Sequence, residues 1–280
     1  MKSRLLLTAI LLTGAAIAQV SGVPAAVHYI NHNTISANLA KGGGRIVSDP
    51  GLTISANRRD AGQGEVEYHD RINHIFILIE GEATFVTGGT LLNPKRTSPD
   101  QMTASGIEGG ETHHLSKGSI LTIPAKTPHW WKDVPKSASY YVVNIINSSE
   151  RSTPGGVPIA VHHIDNDMAM AAMAKRGPVV DEPGMHIVAN RRGAGAVEFH
   201  EQRNHIFILI EGEATFITGG TLVDPKRVNP EDVSATSISG GEAHHLTKGD
   251  VITIPAKTPH WWKEVPTNTV AMYAVNIWNE

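Results

Sequence analysis

The chain has 280 residues, with 24 Lys and Arg against 27 Asp and Glu. That near-balanced, slightly acidic composition offers no electrostatic footprint for nucleic acid or for anionic lipid. There is no cysteine, which excludes disulfides, thiolate metal sites and a lipid-modified cysteine anchor.

In chain order, residues 1–18 read as a secretory signal. Lys2 and Arg4 supply the positive start, 5–17 the apolar stretch, and Ala16-Ile17-Ala18 a small-x-small cleavage site. The apolar stretch is too short for a comfortable membrane span. The expectation is a secreted or periplasmic protein with no stable membrane insertion after signal removal. Without these residues the charge becomes 22 − 27, or −5.

Most of the remaining chain reads as β. A short helix is predicted over 34–41. Next comes the β-branched and aromatic run 75–89, with Glu80-Gly81-Glu82 as a turn between two strands. Further strands are predicted within 119–131 and 139–146, and GG, NP and SP pairs punctuate the connections. The polar stretch 148–156 reads as a linker. A second helix is predicted over 167–175, with Asp165 or Asn166 as its cap. The rest repeats the first half. Residues 73–132 and 204–263 align without a gap, and 43 of the 60 positions are identical. A long period present twice indicates two complete domains rather than a repeat array, placed at 19–147 and 157–280. The length suffices for each to bury its own core. Many short strands with Gly/Pro turns predict an all-β protein: two tandem antiparallel jelly-roll barrels, each with a short N-terminal helix.

The duplicated segment carries a metal-ligand pattern. The first copy holds Glu67, His69, His74 and His129; the second holds Glu198, His200, His205 and His260. Three imidazoles and one carboxylate suit a divalent first-row metal such as Mn, Fe, Zn, Ni or Cu, one per domain. Glu67 and His69 are two apart on a strand and share a face. His74 begins the next apolar run, and His129 closes a later one. The glutamates have three readings: direct ligand, support for a ligand histidine, or acid–base residue beside an open position.

Strand alternation turns Trp131 and Trp262 inward, as pocket walls or as plain core. Arg58 alternates with Ala56 and Ile54, and Arg191 with Ala189 and Ile187, so both read as interior arginines able to grip a substrate oxyanion or as solvated rim residues. His113-His114 and its counterpart His244-His245 read as polar surface pairs, although His113 shares a face with Leu115.

With these residues in view, both halves resemble cupins and the chain resembles a bicupin. The second cupin motif, G-x5-P-x-G-x2-H-x3-N, is matched by Gly118, Pro124 and His129 and by Gly249, Pro255 and His260. Lys126 and Lys257 replace its middle glycine; Asp133 and Glu264 replace its asparagine. The first motif, G-x5-H-x-H-x3,4-E-x6-G, is matched in spacing but permuted. Glu67 and Glu198 take the first histidine position, and His74 and His205 the glutamate position. The resemblance implies metal-dependent chemistry on a small molecule, with oxalate decarboxylases and flavonoid dioxygenases as the nearest analogies. Isomerase or lyase chemistry and a non-catalytic metal- or sugar-binding bicupin stay open, since this fold hosts many activities. A homo-oligomer is compatible with all of these.

Overall fold

The computed structural model describes residues 21–147, 156–175 and 177–279. The candidate signal at 1–18 and all but the last residue of the candidate linker at 148–156 lie outside them.

Each half is a barrel of two antiparallel sheets. In the first half one sheet runs Gly43–Asp49, Leu52–Gly62, His129–Ile146, Ile72–Thr87, Ile120–Ile123 in hydrogen-bonded order. Facing it are Lys95–Ser98, Gln101–Ala104 and Val66–His69, then the far ends of the two long strands, then Glu111–Ser116. The second half repeats both sheets with Pro178–Glu182, Met185–Arg192, Val270–Trp278, Arg203–Glu211 and Val251–Ile254, and with Asp232–Ala235, Val197–His200, His260–Glu264, Glu213–Thr218 and Glu242–Thr247.

Glu80-Gly81-Glu82 is not a hairpin turn. Strand Ile72–Thr87 passes straight through it from one sheet to the other. Gly81 makes the corner with φ of 83°, and a Cβ there would lie 2.0 Å from the Ser137 carbonyl oxygen. A single strand that changes sheets needs this left-handed kink, which only glycine adopts without strain. In the second copy Gly212 breaks the strand at the same place.

Among the described residues the two helices are His32–Leu39 and Asn166–Lys175. Asn31 caps the first by accepting from the Thr34 N–H at 2.9 Å, and Asp165 caps the second by accepting from Met168 at 2.8 Å.

The strand preceding each helix joins the opposite barrel. His28–Ile30 pairs with Val251–Ile254, and His162–Ile164 pairs with Ile120–Ile123. A buried threonine fixes each crossing. Thr253 Oγ accepts from His28 N–H and donates to the Ala26 carbonyl, and Thr122 does the same with His162 and Ala160, all at 2.9 Å.

Packing follows from this exchange. Strand residues Ile75 and Ile77 point one way, Phe76 and Leu78 the other, and all four are buried. Ile75, Ile77, Leu52, Ile54 and Ala56 join Ile206, Ile208, Ile187, Ala189 and Met185 in one core shared by the two halves. Phe76, Leu78, Phe85, Leu115, Trp131 and Tyr140 fill the first barrel. Phe207, Leu209, Phe216, Leu246 and Trp262 fill the second. A strand buried on both faces is a continuous apolar run, as the sequence shows here.

Candidate metal centre

In each barrel three imidazoles converge from three strands. His69 ends one strand, His74 lies early in the next, and His129 opens a third whose backbone pairs with Glu67. Ring centroids are 5.0 Å apart for His69–His74, 5.3 Å for His69–His129 and 5.0 Å for His74–His129. The copies His200, His205 and His260 give 4.9, 5.2 and 5.1 Å. In each set one ring nitrogen from every histidine lies within 4.8 Å of the other two. All six side chains are buried.

The outer ring nitrogens are mostly tied down. His74 Nδ1 meets Asn144 Oδ1 at 2.7 Å, and that amide donates onward to Thr53 Oγ at 3.1 Å. His205 Nδ1 meets Asn276 Oδ1 at 2.7 Å. His129 and His260 donate through Nδ1 to the Thr127 and Thr258 carbonyls at 2.9 and 3.0 Å. A carbonyl only accepts, so the proton sits on Nδ1 and Nε2 is left with a free lone pair. The Nε2 atoms of His74, His129, His205 and His260 are buried and have no hydrogen-bond partner among the described residues. Burial also pushes His69, His74, His129, His200 and His205 towards the neutral form. His129 and His200 are lowered to about 4, and His74 and His205 lie well below the usual value, with the neighbouring rings adding to the effect at His74, His205 and His200. Converging neutral imidazoles with unpartnered lone pairs fit a divalent transition metal.

The glutamates sit beside the triads. Glu67 Oε2 is 3.9 Å from His129 Nε2, and Glu198 Oε2 is 3.5 Å from His260 Nε2. Neither belongs to the mutually close donor group. Their electrostatics differ. Burial raises the Glu67 carboxyl, and the pull of His69 and Arg59 only partly opposes it. Burial also pushes on Glu198, but His260 and Arg192 outweigh it and hold that carboxyl well below the usual range. Arg192 grips Glu198 with Nη2 and Nη1 at 3.1 and 3.3 Å.

The interior arginines are Arg59 and Arg192, not Arg58 and Arg191. Arg58 pairs with Asp60 at 3.5 Å and is exposed; Arg191 is held by Glu211 near the surface. The reason lies in the strand's two faces. Leu52, Ile54 and Ala56 are apolar because they meet the other barrel, so the polar face with Thr53 and Arg59 lines the barrel interior. Arg59 stacks over Trp131 at 5.4 Å and Arg192 over Trp262 at 5.5 Å. Trp131 and Trp262 do point inward, into aromatic clusters with Phe85 and Phe216. In the second barrel Val188, Asn190, Arg192, Gly193 and Ala194 line a cavity of about 360 Å³.

His113 and His244 are not surface residues. Both are buried, and their Nε2 atoms bond Thr87 and Thr218 at 2.7 and 2.8 Å, while His114 and His245 stay exposed. The face shared with Leu115 and Leu246 carried the correct signal.

No protein-family model matches the chain, and no curated protein sequence does. Solved structures do. Salicylate 1,2-dioxygenase from Pseudaminobacter salicylatoxidans is 11% identical, with a TM-score of 0.59 over 96% of this chain and 90% of that one. A cupin 2 conserved barrel domain protein from Leptotrichia buccalis is 14% identical, with a TM-score of 0.50 over 92% of this chain and 100% of that one. An 11S globulin from Wrightia tinctoria is 11% identical, with a TM-score of 0.50 over 82% of this chain and 76% of that one. At such identities the likeness speaks for architecture, because unrelated activities share this scaffold. The chain has the bicupin fold, two cupin barrels in tandem.

Proposed function

We propose that the protein is an exported metal-dependent enzyme that acts on a small oxygenated organic molecule by oxidative or decarboxylating chemistry. One divalent transition metal would sit in each barrel, held by His69, His74 and His129 and by His200, His205 and His260. The observation that carries this reading is the set of buried, unpartnered Nε2 atoms converging inside each barrel. Three protein ligands leave coordination positions for substrate and solvent. The bound metal would supply Lewis-acid or redox chemistry at those positions.

The chain's own residues supply the rest. Arg59 and Arg192 present guanidinium groups at the barrel interior, suited to a carboxylate or phenolate oxygen. Glu67, with its raised carboxyl, takes or returns a proton at a substrate oxygen more readily than an ordinary surface glutamate. Glu198, committed to Arg192, stays ionised and orients that guanidinium instead. A salicylate 1,2-dioxygenase built on the same fold, also solved with gentisate, supports the oxidative branch and an aromatic acid as the first substrate to try.

The test begins with metal content of protein purified from an exporting host, followed by oxygen uptake and carbon dioxide release with salicylate, gentisate and oxalate. About two metals per chain are expected, one per three-histidine site. The combined variant His69→Ala, His74→Ala, His200→Ala, His205→Ala should hold none. Undiminished metal in that variant would refute the assignment. Retained metal with no turnover of any compound would leave a binding protein.

A further inference from the structure

Five of the six triad imidazoles anchor their outer nitrogen on the same partner type in both barrels or on a carboxylate. The sixth does not. His200 Nδ1 donates to Asp232 Oδ1 at 2.7 Å. In the first barrel His69 Nδ1 is buried with no hydrogen-bond partner among the described residues.

The difference traces to one register position. His200 pairs across the sheet with Asp232, and His69 pairs with Gln101. Asp232 is itself held. Arg203 Nη2 donates to the same oxygen at 2.8 Å, and Asn229 Nδ2 donates to the other at 2.8 Å. Arg203 in turn lies over the Trp278 ring at 5.2 Å. The first barrel has Ile72 where Arg203 stands and Gln101 where Asp232 stands, so among the described residues no His–Asp–Arg string forms there.

Resting on the metal reading above, we infer that the two centres are unequal. The C-terminal centre is the retentive one, and Asp232 is the positioning residue that makes it so. The physical argument is direct. A carboxylate on the outer nitrogen fixes the ring's orientation and tautomer, and it raises the basicity of the nitrogen that faces the metal. His69 must instead be oriented by packing alone, and its ring is free to present either nitrogen. The two barrels otherwise share their ligands and their other four anchors, so this contact is the main local difference on the ligand side. Arg192 on Glu198 acts in the opposite direction by withholding a carboxylate, and reciprocal exchange of the two residues separates the contributions.

The experiment uses the full chain in two single-centre forms. His69→Ala with His74→Ala leaves the C-terminal centre; His200→Ala with His205→Ala leaves the N-terminal one. Each is titrated with cobalt(II), followed by its visible spectrum, and then challenged with a chelator. The C-terminal centre should hold the ion about 10–100-fold more tightly, the range found for partners of ligating histidines. Asp232→Gln should remove most of that advantage, and Gln101→Asp should raise retention in the N-terminal centre. A merely structural aspartate would not produce that gain. Asp232→Asn, closer in volume, serves should Asp232→Gln fail to fold. Equal retention by the two centres, or retention unmoved by either exchange, overturns the inference and leaves the metal reading standing. No binding at either centre overturns both.

Discussion

The two barrels carry the same three-histidine arrangement in different surroundings. His74 and His205 lean on asparagines, His129 and His260 on threonine carbonyls, with nearly the same distances. Around them the charges diverge. In the second barrel Arg192 closes on Glu198, and Asp232 closes on His200. In the first barrel Arg59 influences Glu67 through space, its Nε is buried without a hydrogen-bond partner, and His69 has no anchor. Duplication therefore preserved the converging histidines and most of their outer contacts, and let the charged residues around them drift. The second barrel looks built to hold, and the first keeps a guanidinium and a glutamate less committed to one another.

What the barrels share should dominate the acid response of chelator-treated protein. His129 and His200 titrate at about 4 in the fold, against 6.5 for a free imidazole. As pH falls from neutral, the unfolded chain takes up these protons first. Stability is therefore complete above about 6.5 and drains until about 4, below which folded and unfolded states are protonated alike. Across His69, His74, His129, His200 and His205, all lowered by burial, the loss should be on the order of several kcal/mol. Denaturant unfolding of the metal-free protein at pH 7 and pH 5 measures it. The two single-centre forms should each lose a comparable share of the slope. A strong imbalance would mean that the barrels differ by more than their charged neighbours, and a flat profile would show that the imidazoles are not held neutral.

The triads were legible in the sequence because spacing and duplication act together. Glu67-x-His69 fixes a shared strand face, and a gap-free second copy makes coincidence a poor account. Of the two readings of Arg58 and Arg191, interior grip and solvated rim, the rim fits their surroundings. Apolar alternation does not mark the barrel interior on this strand, because Ile54 and Ala56 are apolar where they meet the other barrel. The crossing of His28–Ile30 and His162–Ile164 left no mark in sequence, since three residues carry no address for the sheet they join. Its nearest trace is the matched pairing of His28 with Asp49 and of His162 with Glu182. Asp232 was invisible as well. It differs from Gln101 at an unremarked position, and only the sheet register places it against His200.

The clamped glutamate offers a smaller effect. Arg192→Ala leaves Glu198 ionised beside His260 without its cation, whereas Arg59→Ala removes a guanidinium that no ion pair ties to Glu67 among the described contacts. Both arginines lose their tryptophan stacking, so that cost cancels in the comparison. The pair is partly solvated, and the extra loss for Arg192→Ala should be about 1 kcal/mol. Thermal unfolding of the two metal-free variants at pH 7 reads the difference. Equal losses would show that Glu198 is stabilised by His260 alone.

The smallest expected difference between the two halves lies where the barrels meet. Tyr141 donates to the Gly249 carbonyl at 2.9 Å, and Tyr273 donates to the Gly118 carbonyl at 3.0 Å. Each hydroxyl thus reaches from one half to the other, and burial raises both phenols, Tyr273 to about 12. Removing a buried donor costs the bond and leaves an acceptor unsatisfied, about 1–2 kcal/mol. Tyr141→Phe and Tyr273→Phe keep the ring in the shared core, so the measured loss belongs to the hydroxyl. Because the two contacts are near mirror images, the losses should agree within about 0.5 kcal/mol, with cobalt retention unchanged at both centres. A loss confined to one variant would show that the asymmetry of the metal surroundings extends into the junction. Altered cobalt retention would show that the junction itself helps set the geometry of the triads.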